Sequence, residues 1–129
     1  MIPKKYIIKQ INLDKIFKQE KHADKAILLR NNILVLIEET GRPETRDLEK
    51  IEATITREAL EQIKNALNAN PRDIYAFIHF RRDDTFFNKV ALSRKTCFRK
   101  RYGVFLEIAR CREDMMHKVM MLLKNTSCL

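Results

Sequence analysis

The chain of 129 residues carries two glycines, Gly41 and Gly103, where average usage of about 7% would place roughly nine. Tight hairpins draw on residues that tolerate positive φ, chiefly Gly, Asn and Asp, whereas helices joined by polar loops do without them. The shortage points to a mostly α fold, an irregular bundle of roughly four to six helices. A chain of this length buries about two thirds of its unfolded surface around one core. No repeat, low-complexity tract or Pro/Gly/Ser linker divides it, so residues 1–129 are read as a single domain.

Apolar spacing places the helices. Leu13, Ile16 and Phe17 follow Asn12, a capping residue. Asp24 can cap a second helix reaching Thr40, with Leu29, Ile33, Leu36 and Ile37 on one face and Gly41 and Pro43 closing it. The alternative there is a β-hairpin that turns at Asn31 and Asn32, between residues 26–30 and 33–38. Leu48, Ile51, Ile55, Leu60, Ile63 and Leu67 repeat the three-four spacing and predict a helix over 46–68, ended by Asn70 and Pro71. Residues 74–80 read either as one buried strand or, after Asn70, Pro71 and Asp73, as a further helix.

Beyond the polar turn 81–84, Phe87, Val90 and Ala91 return to helical spacing, and 93–96 reads as a loop or a new cap. Residues 86–91 and a helix starting after Ser93 would then make a helix-turn-helix. A last long helix is predicted over 101–125, carrying Tyr102, Phe105, Ala109, Met116, Val119, Met120 and Leu123 near one face. The main rival to the bundle is a small α+β domain with a short hairpin around 26–38 and a strand around 74–80.

Charge is uneven. Residues 1–30 hold eight Lys/Arg against three acids, 31–70 five against eight, and 81–113 ten against four, within a chain of net charge +9. An acidic middle between two basic segments implies internal pairing or basic faces offered to an anionic partner. Eight of the ten aromatics fall within 75–105, from Tyr75 to Phe105, interleaved with cations of the last basic segment. Cations neutralise phosphates and an exposed ring stacks on an unpaired base. The leading functional expectation is a noncatalytic module contacting DNA or RNA through 81–105, with Arg81, Arg82, Arg94, Lys95, Arg99, Lys100 and Arg101 on phosphates. The plainer reading makes the aromatics core and the cations solvated surface.

Two alternatives stand beside it. A protein-interaction module, such as a regulator, inhibitor or secretion adaptor, would use the acidic helix 46–68 or the Met-rich terminus, where Met115, Met116, Met120 and Met121 lie close together and offer an adaptable surface for a partner or a homodimer. A small metal-dependent nuclease would use His79, Asp83 and Asp84. Neither a Gly-rich phosphate loop nor a nucleophile elbow accompanies those residues. His22, His79 and His117 lie far apart and Cys97, Cys111 and Cys128 form no Cys-x-x-Cys pair, so no metal or other cofactor is expected. Isolated cysteines are usually small buried hydrophobes. Their odd number fits a reduced, cytoplasmic setting. The N-terminus has no signal-like apolar run, and no segment is apolar enough to cross a bilayer.

Overall fold

The computed structural model describes residues 2–18 and 21–127. A mixed five-stranded sheet takes the place of the expected helical bundle, and the first reason is one asparagine. Asn32 adopts φ 64, the left-handed region that Asn tolerates at little cost, and its amide donates to the Leu29 carbonyl at 2.9 Å. That turn joins β2 (Lys25–Leu29) to β3 (Ile33–Thr40) as an antiparallel hairpin, where a helix from Asp24 to Thr40 was expected. Asp24 caps nothing. Its carboxylate accepts from the Glu39 amide at 2.7 Å and its own amide donates to the Ile37 carbonyl at 2.9 Å, fastening the hairpin's open end. The α+β alternative, including a strand over 74–80, is therefore the correct reading of the fold.

β1 (Ile7–Asn12) pairs antiparallel with β2, while β4 (Asp73–Phe80) and β5 (Val104–Ala109) extend β3 in parallel, giving the order β1-β2-β3-β4-β5. The helices are α1 (Thr45–Thr54) and α2 (Arg57–Leu67) between β3 and β4, α3 (Thr85–Tyr102) between β4 and β5, and α4 (Arg112–Ser127) after β5. Parallel neighbours require such crossovers.

Four further expectations are corrected. The helix over 46–68 divides at Ile55 and Thr56, because the Thr56 hydroxyl accepts from the Ala59 amide at 3.2 Å and starts α2 anew. Asn12 does cap, accepting from the Asp14 amide, but the result is a single 3-10 turn, Leu13–Lys15. No turn interrupts 93–96: α3 runs through it, so no helix-turn-helix forms. The helix over 101–125 is cut by Gly103, whose φ of 69 closes α3 as a left-handed C-cap. The residues Val104–Ala109 then form β5. Their mixture of β-branched and aromatic side chains suits a half-buried strand.

Strand alternation splits the core into two layers. Leu34 and Leu36 of β3, Ala76 and Ile78 of β4, and Val104 and Leu106 of β5 face α1, α2 and α3 through Leu48, Ile51, Ile63, Phe87, Ala91 and Phe98. The opposite face, with Ile27, Leu29, Ile33, Val35, Ile37 and Phe77, is covered by Met115, Val119 and Leu122 of α4. The Met-rich stripe is thus largely structural: Met115 is buried, Met116 and Met120 are half-buried, and Met121 is exposed.

Both sheet margins carry lysines. At β1 the pairing shifts between Ile7 and Lys9, and the Lys9 ammonium donates to the Leu67 carbonyl at 2.8 Å. At β5 the Lys118 ammonium donates to the Ile108 carbonyl, and Lys95 lies 3.4 Å from Glu107. Among the described residues no helix is long and apolar enough to cross a membrane.

Candidate anion-binding site

The three parallel strands end together at Thr40, Phe80 and Ala109, and beyond them opens a cleft of about 730 Å³ on the α4 side of the sheet. Register sets its floor. Glu39 lies beside His79 and His79 beside Ala109, while Lys25 at the start of β2 pairs with Ile37. Lys25, Glu39 and His79 therefore project from the same sheet face. The Lys25 ammonium meets the Glu39 carboxylate at 2.7 Å. That hydrogen bond, reinforced by the nearby His79 and Arg81, holds Glu39 below the ordinary carboxylate range against the opposing effect of burial.

The rim comes from two turns. After β4, the amides of Arg81 and Arg82 both donate to the Gly41 carbonyl, at 3.0 and 2.8 Å, tying that turn to the one after β3. After β5, the residues Arg110, Cys111 and Arg112 lead into α4. The Arg110 amide donates to Asp114 at 2.9 Å and the Asp114 amide approaches the Cys111 sulfur at 3.4 Å. Lys25, Arg81, Arg110 and Arg112 line the cleft against one carboxylate, Glu39. Asp83, which is not among the lining residues, forms an ion pair with Arg110 at 3.8 Å. An excess of cations over acids around a walled opening raises the local concentration of anions.

The residues expected to contact phosphates do not converge. Arg81 lines the cleft and Arg82 follows it in the same turn. Arg94 is engaged by Glu52 of α1, and Lys95 by Glu107. The guanidinium groups of Arg99 and Arg101 lie over the Phe105 and Tyr102 rings, 4.9 and 5.4 Å from their centroids. Lys100 is exposed on α3. Four of the eight aromatics between Tyr75 and Phe105 are core, Phe77, Phe80, Phe87 and Phe98; Tyr75, Tyr102 and Phe105 are half-buried and Phe86 is exposed. The plainer reading of the segment therefore holds for half of its rings and fails at Phe86.

His79, Asp83 and Asp84 do not form one cluster of acid-base groups. His79 is on the cleft floor. Asp83 accepts from the Asn88 amide group. Asp84 caps α3, accepting from the Phe87 amide at 2.8 Å and pairing with Arg42 at 3.1 Å; these two contacts, the first above all, hold its carboxyl low. Among the described residues no three His, Cys, Asp or Glu side chains are grouped to hold a metal ion. Cys97 and Cys111 are exposed thiols, not the small core residues expected, and Cys128 lies outside the described residues.

Lys25, Arg110 and Arg112 were invisible to a reading centred on one basic aromatic segment. Their signal is positional: Lys25 opens β2, Arg110 follows β5 and Arg112 opens α4, and such positions become legible only once strands are assigned. No family model, curated protein or solved structure matches the chain.

Proposed function

We propose that the protein is a noncatalytic binding module whose strand-end cleft takes the phosphates of a single nucleic-acid strand. The observation that carries this reading is the meeting of Lys25, Arg81, Arg110 and Arg112 around one opening in which the sole carboxylate, Glu39, is already engaged by Lys25. Ligands of open sheets with parallel strands gather beyond the strands' carboxyl ends. Phosphodiesters are held first by cations, with counterion release as the driving term. A cleft of about 730 Å³ is within the size range of ligand pockets and suits a short stretch of one strand better than a duplex. The unbridged, exposed thiols of Cys97 and Cys111 fit the cytoplasmic setting that belongs to the same proposal.

The test is fluorescence anisotropy of labelled single-stranded DNA and RNA across a salt series, with the parent and an Arg81→Ala/Arg110→Ala variant. Salt-dependent binding that weakens in the variant supports the cleft. No salt-dependent binding at low ionic strength, or equal binding by a folded variant, removes it.

A second reading, a protein-interaction module, has support of its own. Arg94 and Lys95 of the basic segment are satisfied within the chain by Glu52 and Glu107, and two large apolar side chains of α3, Phe86 and Leu92, remain exposed. The surfaces first considered for it are less suitable: Met115 is core, and Glu49 and Glu52 of the acidic helix pair with Lys21 and Arg94.

A further inference from the structure

The outward side of α3 differs from an ordinary solvated helix face. Phe86 is 74% and Leu92 66% exposed, although the inner side of the helix already supplies Phe87, Ala91 and Phe98 to the core. At 3.6 residues per turn, Phe86, Lys89, Leu92, Ser93, Thr96 and Lys100 occupy roughly a third of the circumference over about 21 Å of helix. All six are exposed. Phe86, Lys89 and Leu92 follow one another at three-residue steps, so the lysine stem lies between the two apolar groups. Neither Lys89 nor Lys100 has an ion-pair partner among the described residues.

We propose that this face docks an amphipathic helix of a partner protein, whose apolar stripe covers Phe86 and Leu92 and whose carboxylates meet Lys89 and Lys100. The inference rests on the protein-interaction reading and gives that reading a surface and a partner chemistry. Charge complementarity selects the occupant. A second copy docking through the same face would set lysines against lysines, because a two-fold interface opposes a patch to itself. A phosphate chain satisfies the lysines but offers no apolar stripe to cover Leu92 beside Phe86. A bilayer surface calls for a continuous apolar face, and here Ser93 and Thr96 interrupt it. An acidic helix satisfies both the lysines and the apolar pair by ordinary side-by-side packing.

The test uses two synthetic helical peptides of about 20 residues, long enough to hold helical structure, with the same Leu/Ile stripe flanked by Glu in one and Lys in the other. Each is titrated into the full chain and followed by backbone amide chemical shifts. The Glu-flanked peptide is expected to bind saturably with shifts along α3. Phe86→Ser/Leu92→Ser should weaken it about tenfold or more, and Lys89→Glu/Lys100→Glu should reverse the preference toward the Lys-flanked peptide. All four substitutions are at exposed positions, and an unchanged melting temperature confirms that the variants fold. Binding that ignores both double variants overturns the proposal, as does a single-stranded oligonucleotide or a second copy occupying the face in a Phe86-dependent way. Shifts that map to α4 around Met121 overturn the α3 site while keeping the interaction reading; absence of saturable binding by either peptide overturns both. Peptide binding should survive Arg81→Ala/Arg110→Ala, which separates this face from the cleft.

Discussion

Glu38 of β3 accepts a hydrogen bond from the Lys50 ammonium of α1 at 3.1 Å, while its other carboxylate oxygen is buried without a partner. The residue is 1% exposed. Burial, aided by the carboxylates of Asp24 and Asp47 and opposed by Lys50, pushes its pKa up to about 8 from 4.5. The native state thus keeps a proton that the unfolded chain releases. The resulting stabilisation is complete below pH 4.5, declines as pH rises toward about 8, and is absent above it. At about 1.4 kcal/mol per unit, the effect is on the order of a few kcal/mol. Denaturant midpoints measured between pH 5 and 8 should fall for the parent and stay level for Glu38→Gln, which retains the shape without the charge. A parent profile that rises over that interval would show that Glu38 titrates normally.

Gly103 ends α3 with φ 69, and a Cβ there would meet nothing within 4 Å. The cost of adding a side chain is therefore one of backbone conformation. Gly103→Ala should destabilise by about 1 kcal/mol and Gly103→Asn by less, since Asn tolerates the left-handed region. Equal melting temperatures for parent and Gly103→Ala would contradict this.

Truncation after Asp114 removes Met115, Val119 and Leu122 and uncovers the apolar face of the sheet that they protect. Large-to-small changes at such positions cost about 2–5 kcal/mol each, against a total stability of about 5–15 kcal/mol. The truncated chain should lose its cooperative thermal transition. Retention of the parent's transition in circular dichroism would place α4 outside the folding unit.

For the cleft, removal of two phosphate contacts by Arg81→Ala/Arg110→Ala should flatten the log-log salt slope on single strands by about 1.4. Arg94→Ala/Lys95→Ala should leave the slope unchanged, because Glu52 and Glu107 already hold those cations. Its effect on stability should stay within about 1 kcal/mol, as both pairs are partly exposed. A slope that responds to Arg94 and Lys95 and not to Arg81 and Arg110 would move the site onto α3.

The helix over 46–68 was legible because Leu48 to Leu67 keep the helical period wherever the chain docks on a sheet, and only its break at Thr56 was hidden. The hairpin was misjudged because the scarcity of glycine was weighed above Asn32, although one asparagine at the right place is sufficient for a left-handed turn. β5 was missed because Tyr102, Phe105 and Ala109 also satisfy a helical spacing; Gly103 between them was the stop signal. The cleft could not be read from composition. Lys25, His79 and Arg110 are distant in sequence and become neighbours only through the register of β2 with β3 and of β4 with β5. Segment charge shows how many cations lie in residues 81–113, yet it could not show that Arg94 faces Glu52 across two helices.

The lysines at the two margins of the sheet bear on how this protein behaves when crowded. A bare strand invites any extended polypeptide nearby, including a half-made copy of the same chain, to add itself as a further strand. Here an incoming strand at one side would have to displace the Lys118 ammonium from the Ile108 carbonyl, and at the other would face the irregular step between Ile7 and Lys9. Five strands are thus where the sheet stops, and its margins are built to turn away a sixth.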